Sequence, residues 1–537
     1  MFANMFSKNG LILKAALKRD STFIIVWILA IAAALLAGAS KFNGIYGNRK
    51  AIASIIVTLK TPAMTSIFGV PPTGSGISTG QIFIAMMLVF TGIFTVIPNI
   101  LLAVRTTRAQ EDKGVTEIIR ATAVGRLAPF SAAVLEIIIF NLILMIISYL
   151  SIWAANITGM TSEMISLFSL ETVLVGLMFG AAALLAAQIF NSSQAANSAS
   201  FIFFAICYAV RMATDVSAAK WTWLSLFGWV ELGKIGTQND LKVVWLMLAL
   251  TVVFAALAFQ IAGHRDLNAA LIQSGRGPVT APRFLSNLNR LSFYLQKYIA
   301  LIWIFANVAT AAMYASIFPQ ISDLLKINPS IAQIIGSDQV RQVSSQILLQ
   351  FIAMISYFLI LLAIIPGIQM IAKINSDTAK GLTELVYAKK TSRGGLLLSY
   401  VLPALTTTIL ADLGAVYTMA LIGNALLKHG LPISHFNELA LGLMPGILTF
   451  LALALFLIAW LPRIVSVLYA YLGLSFFLLY FHNMLKLPNW VLTITPLGWM
   501  RDLPVKNIDW PLWWLQWIIM MILVVISAWG FYRRDLI

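Results

Sequence analysis

Side-chain catalysis needs nucleophiles, acids and bases gathered within reach of one another, and this sequence does not gather them. Its four histidines, His264, His429, His435 and His482, are scattered, and its one cysteine, Cys207, lies in an apolar run. That pattern excludes an intramolecular disulfide and a Cys/His metal cluster. Glu136 and Asp412 stand inside long apolar stretches, where a carboxylate is costly and is a functional suspect. The loop Gly74-Ser75-Gly76-Ile77-Ser78-Thr79-Gly80 has the look of a phosphate cradle but lacks its lysine. No Gly-x-x-x-x-Gly-Lys-[Ser/Thr] occurs anywhere. No catalytic residue, metal ligand or resident cofactor is expected, and the chain does not read as an enzyme.

What the sequence does repeat is a short, positionally fixed pattern. Lys113-Gly114-Val115-Thr116-Glu117 recurs as Lys380-Gly381-Leu382-Thr383-Glu384, and in both copies an arginine, Arg126 or Arg393, stands nine residues after the glutamate. The spacing predicts a short helix over 111–121. Glu111 and Asp112 favour its N-terminus, Ile118 and Ile119 give it an apolar edge, and Arg120 falls towards its end. A helix of this kind serves as a membrane-surface connector or as a docking surface. Its preservation in two copies, while most of the intervening sequence has drifted, favours docking.

The elements that must hold these loops are membrane spans. Of 537 residues 60% are hydrophobic and 10% charged, whereas a soluble domain carries about 25% charged residues. Apolar runs of spanning length, about 20 residues, fall near 22–40, 79–104, 128–154, 164–189, 194–212 and 242–262. Six more fall near 298–318, 347–372, 396–424, 438–461, 464–482 and 511–531. Lys18-Arg19, the run 23–36 and Ala37-Gly38-Ala39 have the form of a secretion signal, but the mid-chain counterpart makes this segment a first span. Lys and Arg concentrate in the N-terminal segment and the loops 105–126, 263–297 and 373–395. The net charge of +16 therefore follows the positive-inside rule rather than a nucleic-acid partner. Both termini are expected in the cytoplasm of a multi-pass protein of the cell membrane.

Further pairs support an internal duplication: Pro62 and Gly69 with Pro329 and Gly336, Gly176/Gly180 with Gly442/Gly446, and Phe227-Gly228-Trp229 with Leu497-Gly498-Trp499. Arg265-Asp266-Leu267 after the sixth span likewise matches Arg534-Asp535-Leu536 after the twelfth. The expected fold is all-α and integral to the membrane, with twelve transmembrane helices as two parallel six-helix repeats. Its expected organisation is a first half over 1–267, a cytoplasmic linker and connecting helix over 268–297, and a second half over 298–537. Amphipathic helices are expected before both halves, carried by Phe6, Leu13 and Leu17 and by Phe284, Leu288, Leu291 and Leu295 beside basic residues.

A substrate wall is the second candidate feature. Gln194, Asn197, Phe201, Phe204 and Tyr208 in the fifth run share their spacing with Ser466, Tyr469, Gly473, Phe476 and Tyr480 in the eleventh. Phe83, Met87 and Phe90 in the second and Phe351, Met354 and Phe358 in the eighth add Met and aromatic side chains, which repack around varied ligands. A packed core face would show the same stripes. Pro98 and Pro366, near the inner ends of the second and eighth runs, are candidate hinges. The Gly pairs allow close helix approach.

The loop residues Arg108, Glu111, Gly114, Glu117, Ala121-Thr122 and Arg126, the parallel Gly381, Glu384, Ala388 and Arg393, and the Arg-Asp-Leu after each half resemble the type-2 ABC exporter permeases. The resemblance is to their fused, double-length members, similar to polyketide-antibiotic and multidrug exporter permeases, and it extends over both halves. Ala123 and Lys390 stand where that family often has proline. The resemblance implies that Glu111, Gly114, Glu117, Arg120, Arg126, Gly381, Glu384 and Arg393 couple to a separate ATPase subunit, a homodimer docking on both halves, which binds ATP and Mg. It implies that the second, fifth, eighth and eleventh spans line the interface between halves and that hydrophobic or amphipathic, drug-like compounds are exported. A proton-coupled drug antiporter resting on Glu136 or Asp412 is the alternative. A lipid-modifying membrane enzyme would need a cluster of His, Asp or Glu at one membrane face, which the sequence lacks.

Overall fold

A computed structural model describes residues 5–60, 62–74, 76–266, 270–272, 280, 283–319, 337–389, 391–427, 429–485 and 488–533. Leu267, Arg276, Pro329, Gly336, Lys390, Arg534, Asp535, Leu536 and the side chain of Tyr480 lie outside the described residues. The described chain is helical and has no strand beyond one isolated bridge, Phe190 to Ile272. The protein is an all-α integral membrane protein. Eleven helices among the described residues are long and apolar enough to cross a membrane.

The chain divides into two compact units, Met1–Gly277 and Pro278–Ile537. In the first, the long helices are α1 (Asn9–Tyr46), α4 (Thr79–Thr106), α7 (Ala128–Ala154), α8 (Ser162–Ile189), α9 (Ser193–Ser217) and α11 (Leu241–His264). Shorter helices connect them: α2 (Arg49–Leu59), α3 (Pro62–Phe68), α5 (Arg108–Asp112), α6 (Val115–Arg120) and α10 (Trp229–Leu232). Polar residues set the helix starts. Ser78 and Gln81 form a reciprocal capping box on α4, and Thr161, Ser192 and Asp240 accept backbone N–H groups at the starts of α8, α9 and α11. Helix α8 packs against α4, α7, α9 and α11, and α1 packs along α7.

The second unit holds α12 (Leu288–Ala315), α13 (Ser337–Ala379), α14 (Leu382–Tyr387), α15 (Arg393–Leu426), α16 (Ile433–Trp460), α17 (Val467–Leu485), α18 (Asn489–Leu492) and α19 (Trp510–Arg533). Its pairs α12 with α15 and α16 with α19 repeat the pairs α1 with α7 and α8 with α11. Helices run through Pro98, Pro366, Pro403 and Pro445 without ending. Proline leaves the carbonyl four residues earlier without its helical partner. At Pro445 that carbonyl, Leu441 O, accepts a hydrogen bond from Trp513 Nε1 at 2.9 Å.

Three sequence expectations need correction. Of the segments expected as amphipathic helices, Leu13 and Leu17 lie on α1 and Leu288, Leu291 and Leu295 on α12, continuous with the first and seventh spans, while Phe6 precedes α1 and Phe284 lies in a separate 3₁₀ turn, Arg283–Leu285. On α12, Ser292, Gln296 and Asn307 are buried while Leu301, Ile302 and Phe305 are exposed. That apolar outer face fits lipid contact rather than a helix lying flat on the surface. The expected eleventh span, 464–482, starts late because Pro462–Ile464 forms a 3₁₀ turn first. The helix there, α17, runs Val467–Leu485 and is apolar over its described side chains, Val467–Leu479. The expected helix over 111–121 is two helices, α5 and α6, because Gly114 adopts φ 71° between them. A β-carbon makes that conformation costly, and glycine permits it.

Candidate functional site

The two copies of the repeated loop fold alike, each within its own unit. Gly114 at φ 71° and Gly381 at φ 70° turn the chain into α6 and α14, each six residues long. Thr116 and Thr383 are buried on the inner side of these helices. Ile118 and Leu385 stand 71% and 67% exposed on the outer side, beside exposed Glu117 and Glu384. Burying such apolar side chains would be favourable by about 1.5–3 kcal/mol each, so each helix offers an apolar knob with an acidic neighbour.

Beneath α6 lies a buried ionic node. Glu111 Oε2 accepts from Arg108 Nη1 at 2.9 Å and Glu111 Oε1 from Arg265 Nη2 at 2.5 Å. Asp112 Oδ2 caps the start of α9 by accepting from Ser193 N at 2.7 Å. Burial pulls the Arg120 guanidinium below its ordinary pKa, with Glu111 opposing and Arg126 and Arg265 adding to the fall. Glu111 therefore faces inward and ties α5 to the end of α11. It does not belong to the outer face with Glu117, and its place at the end of α5 replaces its expected place at the start of a single helix.

The loop that follows each helix is also held. Gly125 N donates to Ser7 O at 3.2 Å and Leu127 N to Met5 O at 3.0 Å. Arg126 Nη2 donates to Arg265 O at 3.3 Å, and in the second unit Arg393 Nη1 donates to Tyr532 O at 2.5 Å. At the positions matching Glu111, Arg108 and Arg120 the second unit has Thr378, Asn375 and Tyr387. None of these three side chains is charged. Asn375 donates to Pro462 O at 3.2 Å, and burial raises the pKa of the Tyr387 hydroxyl.

The residues of the expected substrate wall range from buried to exposed. Phe83 is fully buried between the rings of Phe42 and Phe168. Phe90 packs on Phe68, Phe351 on Phe318, and Phe358 on Tyr314 and Phe476. Phe204 and Tyr208 join Phe227, and Phe204 also meets Phe179. Met87, Asn197, Phe201 and Met354 are half-buried, while Gln194, Ser466 and Tyr469 are exposed. The polar–aromatic stripe of α9 continues with the same spacing into Arg211 and Asp215, a continuation visible in the sequence.

Arg211 is fully buried. Its guanidinium reaches Glu231 Oε1 at 2.7 Å and Asp215 Oδ2 at 3.4 Å and donates to the carbonyls of Ser66 and Ile67. It thereby fixes α3 and α10 to the end of α9. Burial pushes the Glu231 carboxyl up to about 8, against the pull of Arg211. Glu136 is fully buried with both oxygens unpartnered, within electrostatic reach of Asp20, Arg19 and Arg105. Asp412, also buried, has one unpartnered oxygen. Among the described residues no group of three His, Cys, Asp or Glu could hold a metal.

Residues 285–532 match the family model "Multidrug efflux system permease Rv1217c, C-terminal domain". The chain is also 24% identical over 408 residues to the multidrug efflux system permease protein Rv1217c of Mycobacterium tuberculosis, covering 75% of this chain and 72% of that protein. Both comparisons support a multidrug efflux permease, the same kind of protein that the loop motifs resemble.

Proposed function

We propose that this chain is the permease subunit of an ATP-driven exporter of the type-2 ABC kind, working with a separate ATPase that docks on α6 and α14. The observation that carries this reading is the pair of matched helices, each turned out by a left-handed glycine, seated by a buried threonine and capped by an exposed apolar side chain. Two equivalent docking points suit a two-fold ATPase dimer. Helix α14 follows directly on α13, and α6 follows α4 through the short α5, so a push on either helix reaches the span before it as a displacement. The cargo is apolar or amphipathic and leaves the cytoplasm or the inner leaflet. On this reading the membrane is the plasma membrane and both termini are cytoplasmic. The similarity to a multidrug efflux permease supports the direction and the cargo class.

The test is Glu117→Arg combined with Glu384→Arg in the full chain, co-expressed with the ATPase subunit that purifies with it. Both carboxylates are exposed, so insertion and folding should be unaffected. Stimulation of ATP hydrolysis should fall by about tenfold, as for the loss of an interface hot spot. Unchanged stimulation would remove the docking role. A proton-coupled antiporter remains the second reading because of one observation, the buried Glu136 with both oxygens unpartnered.

A further inference from the structure

The arginine nine residues after each glutamate has a partner within its own unit. In both units it binds the last carbonyls of the sixth helix of its own unit. Arg126 donates to Arg265 O, the C-cap of α11, and Arg393 to Tyr532 O, in the last described turn of α19. The donors stand 267 positions apart, at 126 and 393, and the acceptors fall near the end of the same helix of each unit, Tyr532 lying two residues before the sequence match of Arg265. The interaction has therefore survived although the acceptor side chains differ. Carbonyls in the last turn of a helix lack an intrahelical partner and carry the negative end of the helix dipole. A guanidinium there satisfies both needs.

Each arginine also sits where the coupling loop enters the third helix, just before α7 and at the first residue of α15. One side chain thus joins three elements: the return from the coupling helix, the start of the third helix and the end of the sixth. In the first unit Arg265 adds a second tie through Glu111 at 2.5 Å. In the second, Gly394 admits the Tyr532 hydroxyl against the loop, where a β-carbon would collide with it. The two units reach one mechanical link by ionic and by aromatic means.

We infer that Arg126 and Arg393 are positioning residues that carry the displacement of each coupling helix to the last helix of its unit, so that α11 and α19 move together with α6 and α14. The inference rests on the proposed ATPase docking, and it separates two events that docking alone leaves joined. ATP hydrolysis needs only the outer face of α6 and α14. Transport needs the arginines as well.

The experiment uses the full chain with its co-purified ATPase in inverted membrane vesicles, comparing wild type, Arg126→Gln with Arg393→Gln, and the corresponding double Lys variant. Partner affinity and ATP turnover should stay within about twofold, because the substituted side chains bind within their own units, while ethidium moved per ATP falls by about fivefold or more. The Lys variant keeps a charged donor and should recover part of that ratio. In the chain alone, amide exchange should quicken at 115–120, 382–387 and the last turns of α11 and α19 in the Gln variant. Unchanged transport per ATP together with unchanged exchange would overturn the inference. Loss of partner affinity in the Gln variant would also overturn it, by returning the arginines to the docking face. Failure of the Glu117/Glu384 pair to affect ATPase stimulation would strike the docking proposal instead, and the exchange measurement would still judge the arginines.

Discussion

Glu111 shows how a single side chain differs in role from its sequence neighbours. Six residues before Glu117, it is nevertheless buried and shared by Arg108 and Arg265. Removing one partner of a buried ion pair strands the others, at a cost of about 3–5 kcal/mol. Glu111→Ala should therefore lower the thermal stability of the first unit sharply, whereas Glu117→Ala should leave it nearly unchanged. A melting profile in lipid nanodiscs distinguishes the two, and equal effects would contradict the placement of Glu111. Glu136 makes a different prediction. If ATP drives transport, Glu136→Gln keeps transport within about twofold of wild type, since an amide fills the same volume and removes only a charge that burial already disfavours. A complete loss of transport in that variant would favour the antiporter.

Among the helices, the packing of α4 shows what the sequence could and could not convey. The Gly176/Gly180 pair was legible as a site of close approach, but not its occupant. That occupant is Asn99, which exchanges two hydrogen bonds with Asn141 of α7 at 2.6 and 3.1 Å. A β-carbon on Gly176 would lie 2.7 Å from Asn99 Nδ2. Gly176→Leu should destabilise the first unit by about 1–3 kcal/mol through overpacking, measured as a lowered melting temperature and faster exchange in α4. The matching Gly442 and Gly446 face Leu503 and Leu497 instead, so Gly442→Leu should disturb the 496–508 segment and spare α13. Identical motifs thus received different partners, which spacing along one helix cannot encode. Span positions were read closely because an apolar run in lipid has few alternatives to a helix. The break at Gly114 was missed because a glycine permits both a helical and a left-handed backbone, and residue spacing does not choose between them.

For the molecule as a whole, the duplication was the most informative signal and also the limit of the reading. The repeat located both short loop helices, α6 and α14, their glycines and their arginines by position. The substrate wall was read from Met and aromatic stripes, and many of those rings touch another ring of their own unit, while a ring that fills a core has the same periodicity as one that meets a ligand. Nothing about apolar spacing separates the two. On the proposed reading the energy for export comes from a bound ATPase, and on the second reading from an ion gradient. These alternatives separate in vesicles that contain the full chain, supplied in turn with its ATPase and MgATP or with a pH gradient alone. Uphill accumulation of ethidium should require the ATPase and MgATP and persist when the gradient is collapsed. Accumulation by the chain alone on a pH gradient, without nucleotide, would contradict it.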